Sequence, residues 1–154
     1  MIRQRTAMLA GILLISVFLA ACGGGGGGDN GGDGGNGDNG GGSGTVEVRV
    51  GLDEMTVQPS PSSVSAGTVR FVATNNGSLP HELVVVRSDT APGDLPVSGS
   101  TVDESQINVI GKTEQFPAGE ERTLELDLEA GQYILFCNVP GHYQAGMYIG
   151  FTVR

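Results

Sequence analysis

Between residues 137 and 147 the chain reads Cys137-Asn-Val-Pro-Gly-His142-Tyr-Gln-Ala-Gly-Met147. The stretch holds the only cysteine after residue 22, one of two histidines in the whole sequence, and a methionine. A thiolate and an imidazole beside a thioether make a soft-to-borderline donor set that suits copper in either oxidation state, provided a second imidazole joins it. The other histidine, His81, stands just ahead of the apolar run Leu83-Val84-Val85-Val86. The expectation is that His81, Cys137, His142 and Met147 converge on one copper ion, with Met147 as the weak axial ligand. Each residue alone has a plainer explanation. A histidine before an apolar run or a buried cysteine is commonly structural, and a methionine commonly packs a core. Zinc could use the same Cys-His-His set but gains nothing from the thioether.

Four ligands so far apart in sequence need a rigid frame. From residue 45 the apolar pattern has period two, and no segment reads as an amphipathic helix. Val46, Val48, Val50 and Leu52 alternate with more polar neighbours, with Met55 and Val57 as a continuation up to Pro59-Ser-Pro61. Thr68–Thr74 places Val69, Phe71 and Ala73 on one face, and Asn75-Asn76-Gly77-Ser78 has turn composition. His81–Arg87 reads as a buried strand. Residues 88–106, rich in acids, proline and glycine, read as a surface excursion with room for one helical turn. Ile107–Ile110 follows as a short strand, then Leu124, Leu126 and Leu128 alternate with acids, then Tyr133–Cys137 and Met147–Val153. Strand parity puts Met147 with Ile149, Phe151 and Val153 on the core face, and puts His81 and Cys137 on faces compatible with pointing inward. Glu82 has the opposite parity from His81 and is not expected to be a ligand. These elements predict an all-β fold, an antiparallel Greek-key β-sandwich of seven to eight strands. Leu128-Glu-Ala-Gly131-Gln-Tyr133 resembles the tyrosine corner of such sandwiches.

The amino-terminal part has a different character. Arg3 and Arg5 precede an uncharged apolar run, Ala7–Ala20, and the small pair Ala20-Ala21, the arrangement of a signal peptide over residues 1–21. The run is short for a spanning helix, so an uncleaved anchor is the weaker alternative. Leu19-Ala20-Ala21-Cys22 resembles the lipobox of bacterial lipoproteins, which implies lipidation of Cys22 and attachment to the outer face of a cell membrane. Cys137 would then lack a disulfide partner. Residues 22–44 are almost entirely Gly, Asp and Asn, offer nothing to bury, and read as a flexible tether with a root-mean-square span of roughly 25 Å. Residues 45–154 are long enough for a single core.

The formal net charge is −9, and becomes −11 once residues 1–21 and their two arginines are removed. That balance argues against nucleic acid and anionic lipid as partners; it is compatible with positively charged ones and equally with acidity that serves only solubility.

The ligand spacing, together with the strand order, resembles the cupredoxins, the small blue-copper proteins. The resemblance covers nearly all of residues 45–154. Cys-x4-His-x4-Met is similar to the longer-loop members such as rusticyanin, auracyanin and sulfocyanin. The resemblance implies a monomeric carrier of single electrons between extracytoplasmic donor and acceptor proteins, with no small-molecule substrate. His142 is then the expected electron port, with Pro140, Tyr143 and Ala145 as an apolar contact patch. Copper binding or delivery without electron transfer is the alternative, and a metal-free structural sandwich a third reading. An enzyme is disfavoured because catalytic coppers need further histidines, and both are already committed. Glu82 and Asn138 depart from the family's usual Asn or Ser after the first histidine and Ser or Thr after the cysteine.

Overall fold

The computed structural model describes residues 44–154; the predicted signal segment, Cys22 and the glycine-rich stretch through residue 43 lie outside the described residues. The chain forms β1 (Val46–Asp53), β2 (Thr56–Ser60), β3 (Ser63–Val64), β4 (Gly67–Asn75), β5 (Val84–Arg87), β6 (Val97–Ser98), β7 (Thr101–Val102), β8 (Asn108–Lys112), β9 (Glu121–Leu128), β10 (Gly131–Phe136) and β11 (Tyr148–Val153). A single 3-10 turn, Glu104–Gln106, follows β7. One sheet has the order β2-β1-β4-β9, the other β3-β11-β10-β5-β8, and β6-β7 is a separate small hairpin.

The alternation in the sequence decides what lies between the sheets. Val48, Val50 and Leu52 of β1 and Val69, Phe71 and Ala73 of β4 pack with Val85, Leu135, Phe151 and Val153 of the other sheet. Phe71 and Phe151 meet edge to face at 5.6 Å between ring centres. Each such buried Val, Leu or Phe side chain contributes about 1.5–3 kcal/mol of apolar transfer energy. Tyr133 Oη donates to the Glu129 carbonyl at 2.9 Å, so the predicted tyrosine corner is formed.

The sandwich is as predicted, but its sheets are mixed. β1 pairs with β4 in parallel, and so does β11 with β3. Met55 and Val57 do not prolong the first strand: the chain reverses at Glu54-Met55 and β2 runs back antiparallel along β1. Pro59 sits in β2 without breaking the sheet because β2 is an edge strand, where a missing N–H can face outward. The strand expected at His81–Arg87 begins only at Val84, since the backbone of residues 81–83 bonds to a loop and to side chains instead. Ile149 departs from its parity and is 39 % exposed. At that level β11 has no outer neighbour, because β3 pairs only with Thr152 and Val153.

The 88–106 excursion does more than cross the surface. Val84, Val86, Ile134 and Phe136 point away from the inter-sheet core, and Leu95, Val102 and Tyr143 cover them in a second apolar cluster. This explains why both faces of β5 and β10 are apolar in the sequence.

Candidate metal centre

His81 is placed by backbone. Its N–H donates to the Phe116 carbonyl at 3.1 Å and its carbonyl accepts from the Phe116 N–H at 2.9 Å. Two residues on, Leu83 N–H donates to Thr113 Oγ1 and the Leu83 carbonyl accepts from Thr113 N–H, both at 3.0 Å. Buried Asn75, at the end of β4, joins the other sheet to this bridge: its Nδ2 donates to the carbonyls of Phe116 and Leu79.

The other side is a tight loop between β10 and β11. Cys137 lies one residue beyond β10, and its N–H donates to the Met147 carbonyl at 3.1 Å. Met147 N–H donates to the His142 carbonyl at 3.0 Å, and His142 N–H to the Val139 carbonyl at 3.0 Å. Gly141 (φ 86°) and Gly146 (φ 103°) occupy the left-handed region on either side of His142, which lets so few residues turn twice. Met147 is fully buried.

Three of the four predicted residues present their donor atoms to one point. His81 Nδ1 and His142 Nδ1 are 3.2 Å apart, and Cys137 Sγ is 3.8 Å from the first and 3.6 Å from the second. A point equidistant from the three atoms lies about 2 Å from each, close to a metal–imidazole bond length. A trigonal His-His-Cys set is the equatorial arrangement of a blue-copper site, so the donors present fit that ion. His81 Nε2 is buried with no hydrogen-bond partner among the described residues, which leaves Nδ1 as the nitrogen engaged at the site.

The electrostatics match. Burial pushes the imidazoles of His81 and His142 toward the neutral form that ligates metal, and for His81 the neighbouring His142 adds to the effect. Burial pushes the Cys137 thiol up, opposed by the backbone N–H groups of Glu82 and Val139. The Glu82 N–H reaches Sγ at 3.5 Å.

The two departures noted in the sequence acquire roles here. The Glu82 carboxyl is buried, which raises its pKa against the pull of Lys112, and the Asn138 N–H favours its ionised form. Glu82 is not among the converging donors, as its parity implied. Asn138 turns outward to the excursion: Oδ1 accepts from Val102 N–H at 2.7 Å, while Nδ2 donates to the Val102 carbonyl at 3.2 Å and to Glu104 Oε1 at 2.9 Å. Further bonds run from Gly141 N–H to the Ser100 carbonyl, from Tyr143 Oη to the Pro92 carbonyl, and from Leu95 N–H to Tyr143 Oη.

Tyr143 therefore does not belong to a contact patch. It is 3 % exposed because its ring fills the outer cluster and its hydroxyl is taken. Pro140 and Ala145 are exposed as expected, and so are Leu79 and Pro80, which the sequence reading did not single out. It also missed Thr113, Phe116 and Asn75 as supports of His81. Asn75 had only turn composition to mark it, and nothing local marks the other two.

A β-sandwich carrying a buried His-Cys-His cluster at the ends of its strands defines a cupredoxin-type copper protein. Residues 44–154 match the family model of copper binding proteins, plastocyanin/azurin family, and the chain belongs to that family. It is 31 % identical over 158 residues to Auracyanin-A of Chloroflexus aurantiacus, covering 92 % of this chain and 93 % of the relative. It is likewise 31 % identical to Auracyanin-B of the same organism over 121 residues, covering 71 % of this chain but spanning only about half, 52 %, of that relative's length. Among solved structures, Auracyanin A superposes with a TM-score of 0.54 at 24 % identity, covering 72 % of this chain and all of that one. Rusticyanin from Thiobacillus ferrooxidans superposes with a TM-score of 0.52 at 18 % identity, covering 71 % and 77 %. These likenesses place the chain in the longer-loop group of cupredoxins, copper-binding electron carriers rather than enzymes.

Proposed function

We propose that His81, Cys137, His142 and Met147 hold one type 1 copper ion, and that the protein carries single electrons between extracytoplasmic redox proteins while tethered to a membrane through lipid on Cys22. The single observation that supports the ligand set best is the convergence of two Nδ1 atoms and one Sγ within 3.8 Å of one another in a buried site. Bound copper would supply a one-electron Cu(II)/Cu(I) couple.

The remaining roles belong to the chain's own residues. Phe116 and Asn75 hold His81, and Asn138 and Tyr143 hold the loop, so the donors keep their spacing when the charge at the site changes by one. The apolar sandwich interior excludes water. His142, at 7 % exposed against 0 % for His81, is the donor nearest solvent and the electron port in this reading. Exposed Leu79, Pro80, Pro140 and Ala145 would give a partner an apolar surface near it.

Residues 1–21 act as the export signal, 22–44 as the tether and 45–154 as the copper domain. Among the described residues Arg49, Arg70, Arg87, Lys112 and Arg122 are all paired with carboxylates, so the unpaired surface charge is mainly negative and favours cationic partners.

Cu(II) added to the metal-free protein should give an intense thiolate-to-copper absorption in the visible that is absent in Cys137→Ser. Stopped-flow reduction and reoxidation should then proceed with copper retained. No visible band would refute the ligand set; copper lost at each cycle would refute electron carriage in favour of delivery. Metabolic labelling with a fatty acid, lost in Cys22→Ala, tests the anchor.

A further inference from the structure

Glu54 is far from the four ligands in sequence, yet it is built into the segment that leads to His81. It is the first of two turn residues between β1 and β2. Its Oε1 accepts from the Ser78 backbone N–H, from Ser78 Oγ at 3.1 Å and from the Leu79 N–H at 3.0 Å. Gly77 makes this approach possible, because a Cβ there would stand 2.6 Å from that same oxygen. The second turn residue, Met55, adopts φ 62°, a left-handed conformation unfavourable for a side chain of its kind. Such conformations persist where surrounding contacts over-determine them. Asn75 grips the same loop from its other side, through the Leu79 carbonyl and the Gly77 N–H.

We propose that Glu54 is a positioning residue for the metal centre: it pins the Ser78–Leu79 segment ahead of His81 and sets a fixed negative charge that favours the more positive state of the bound ion. This rests on the ligand set proposed above. The N–H groups of Ser78 and Leu79 hold the Glu54 carboxyl down to about 2, so it is ionised throughout the neutral range. The bonds to Ser78 and Leu79 fix that charge on the segment that leads into His81. A fixed carboxylate beside the segment that carries a ligand stabilises Cu(II) over Cu(I), which lowers the reduction potential.

Two variants separate the pin from the charge. Glu54→Gln retains an acceptor oxygen without the charge, and Glu54→Ala removes both. In the metal-free full chain, amide hydrogen exchange at Ser78 and Leu79 should quicken about tenfold in Glu54→Ala and much less in Glu54→Gln. In the copper-loaded chain both variants should keep the visible band and titrate at a higher potential than wild type, the difference shrinking as salt screens the charge. Unchanged exchange in Glu54→Ala would overturn the pin. A Glu54→Gln potential at or below that of wild type, with the band intact, would overturn the electrostatic role. A wild-type chain that takes up copper without a visible band would refute the ligand set instead, and the exchange measurement would still decide the pin.

Discussion

The His81 side of the site hangs on backbone hydrogen bonds to the segment around Phe116, whereas the loop from Cys137 to Met147 is clamped by its own side chains to the 88–106 excursion. Both deliver donor atoms to one point, but they depend on different parts of the chain. On the first side, Phe116 exchanges both backbone bonds with His81 while its ring is buried in the inter-sheet core. On the second, Asn138 exchanges two bonds with Val102, and Tyr143 bonds Pro92 and Leu95 from the outer cluster. A donor held through backbone tolerates many local substitutions and fails when the core supporting it fails. A loop held through side chains is sensitive to single polar atoms, and it can be loosened while the core stays intact.

The largest effect should follow Phe116→Ala. Emptying a site occupied by a fully buried phenylalanine costs about 3–5 kcal/mol and leaves the partner of His81 unsupported. Denaturant unfolding should show that loss, and competitive chelator titration should show weakened copper binding. If stability falls but copper affinity holds, His81 does not depend on the Phe116 bridge. A smaller effect belongs to Asn138→Ala, which orphans the N–H and carbonyl of buried Val102 at about 1–3 kcal/mol. Here the spectrum should shift with the ligand set retained, and proteolysis should cut the excursion sooner than in wild type. Equal spectra would show the loop to be independent of its clamp.

The smallest effect is the acid response of the His81 side. The Glu54 carboxyl is lowered from 4.5 to about 2 on folding, so its stabilisation is present above pH 4.5 and is lost as pH falls toward 2. Metal-free wild type should therefore be more stable than Glu54→Gln at neutral pH, with the gap closing over that window in thermal melts at stepped pH. A gap constant with pH would mean that the charged form contributes nothing to the fold.

The site was largely legible from one dimension because ligand chemistry is carried by residue type. With two histidines and one cysteine in residues 45–154, the donors could scarcely be others, and Cys-x4-His-x4-Met falls within one loop. Strand faces were legible where one side was polar, as at Leu124, Leu126 and Leu128. They were ambiguous at β5 and β10, where both sides are apolar because the excursion covers what would otherwise be an outer face. The mixed sheets, the reversal at Glu54-Met55 and the edge position of Ile149 were not legible, since each depends on which strand lies alongside.

By itself, then, the sequence determined the donor atoms, the sandwich and its core periodicity, because these rest on side-chain chemistry and a two-residue repeat. Only the tertiary structure decided what holds the donors at 3.2–3.8 Å: Phe116 beneath His81, Val102 against Asn138, Glu54 behind Ser78 and Leu79. These partners are 24 to 36 residues apart, and a hydrogen bond between such residues leaves no mark on local composition.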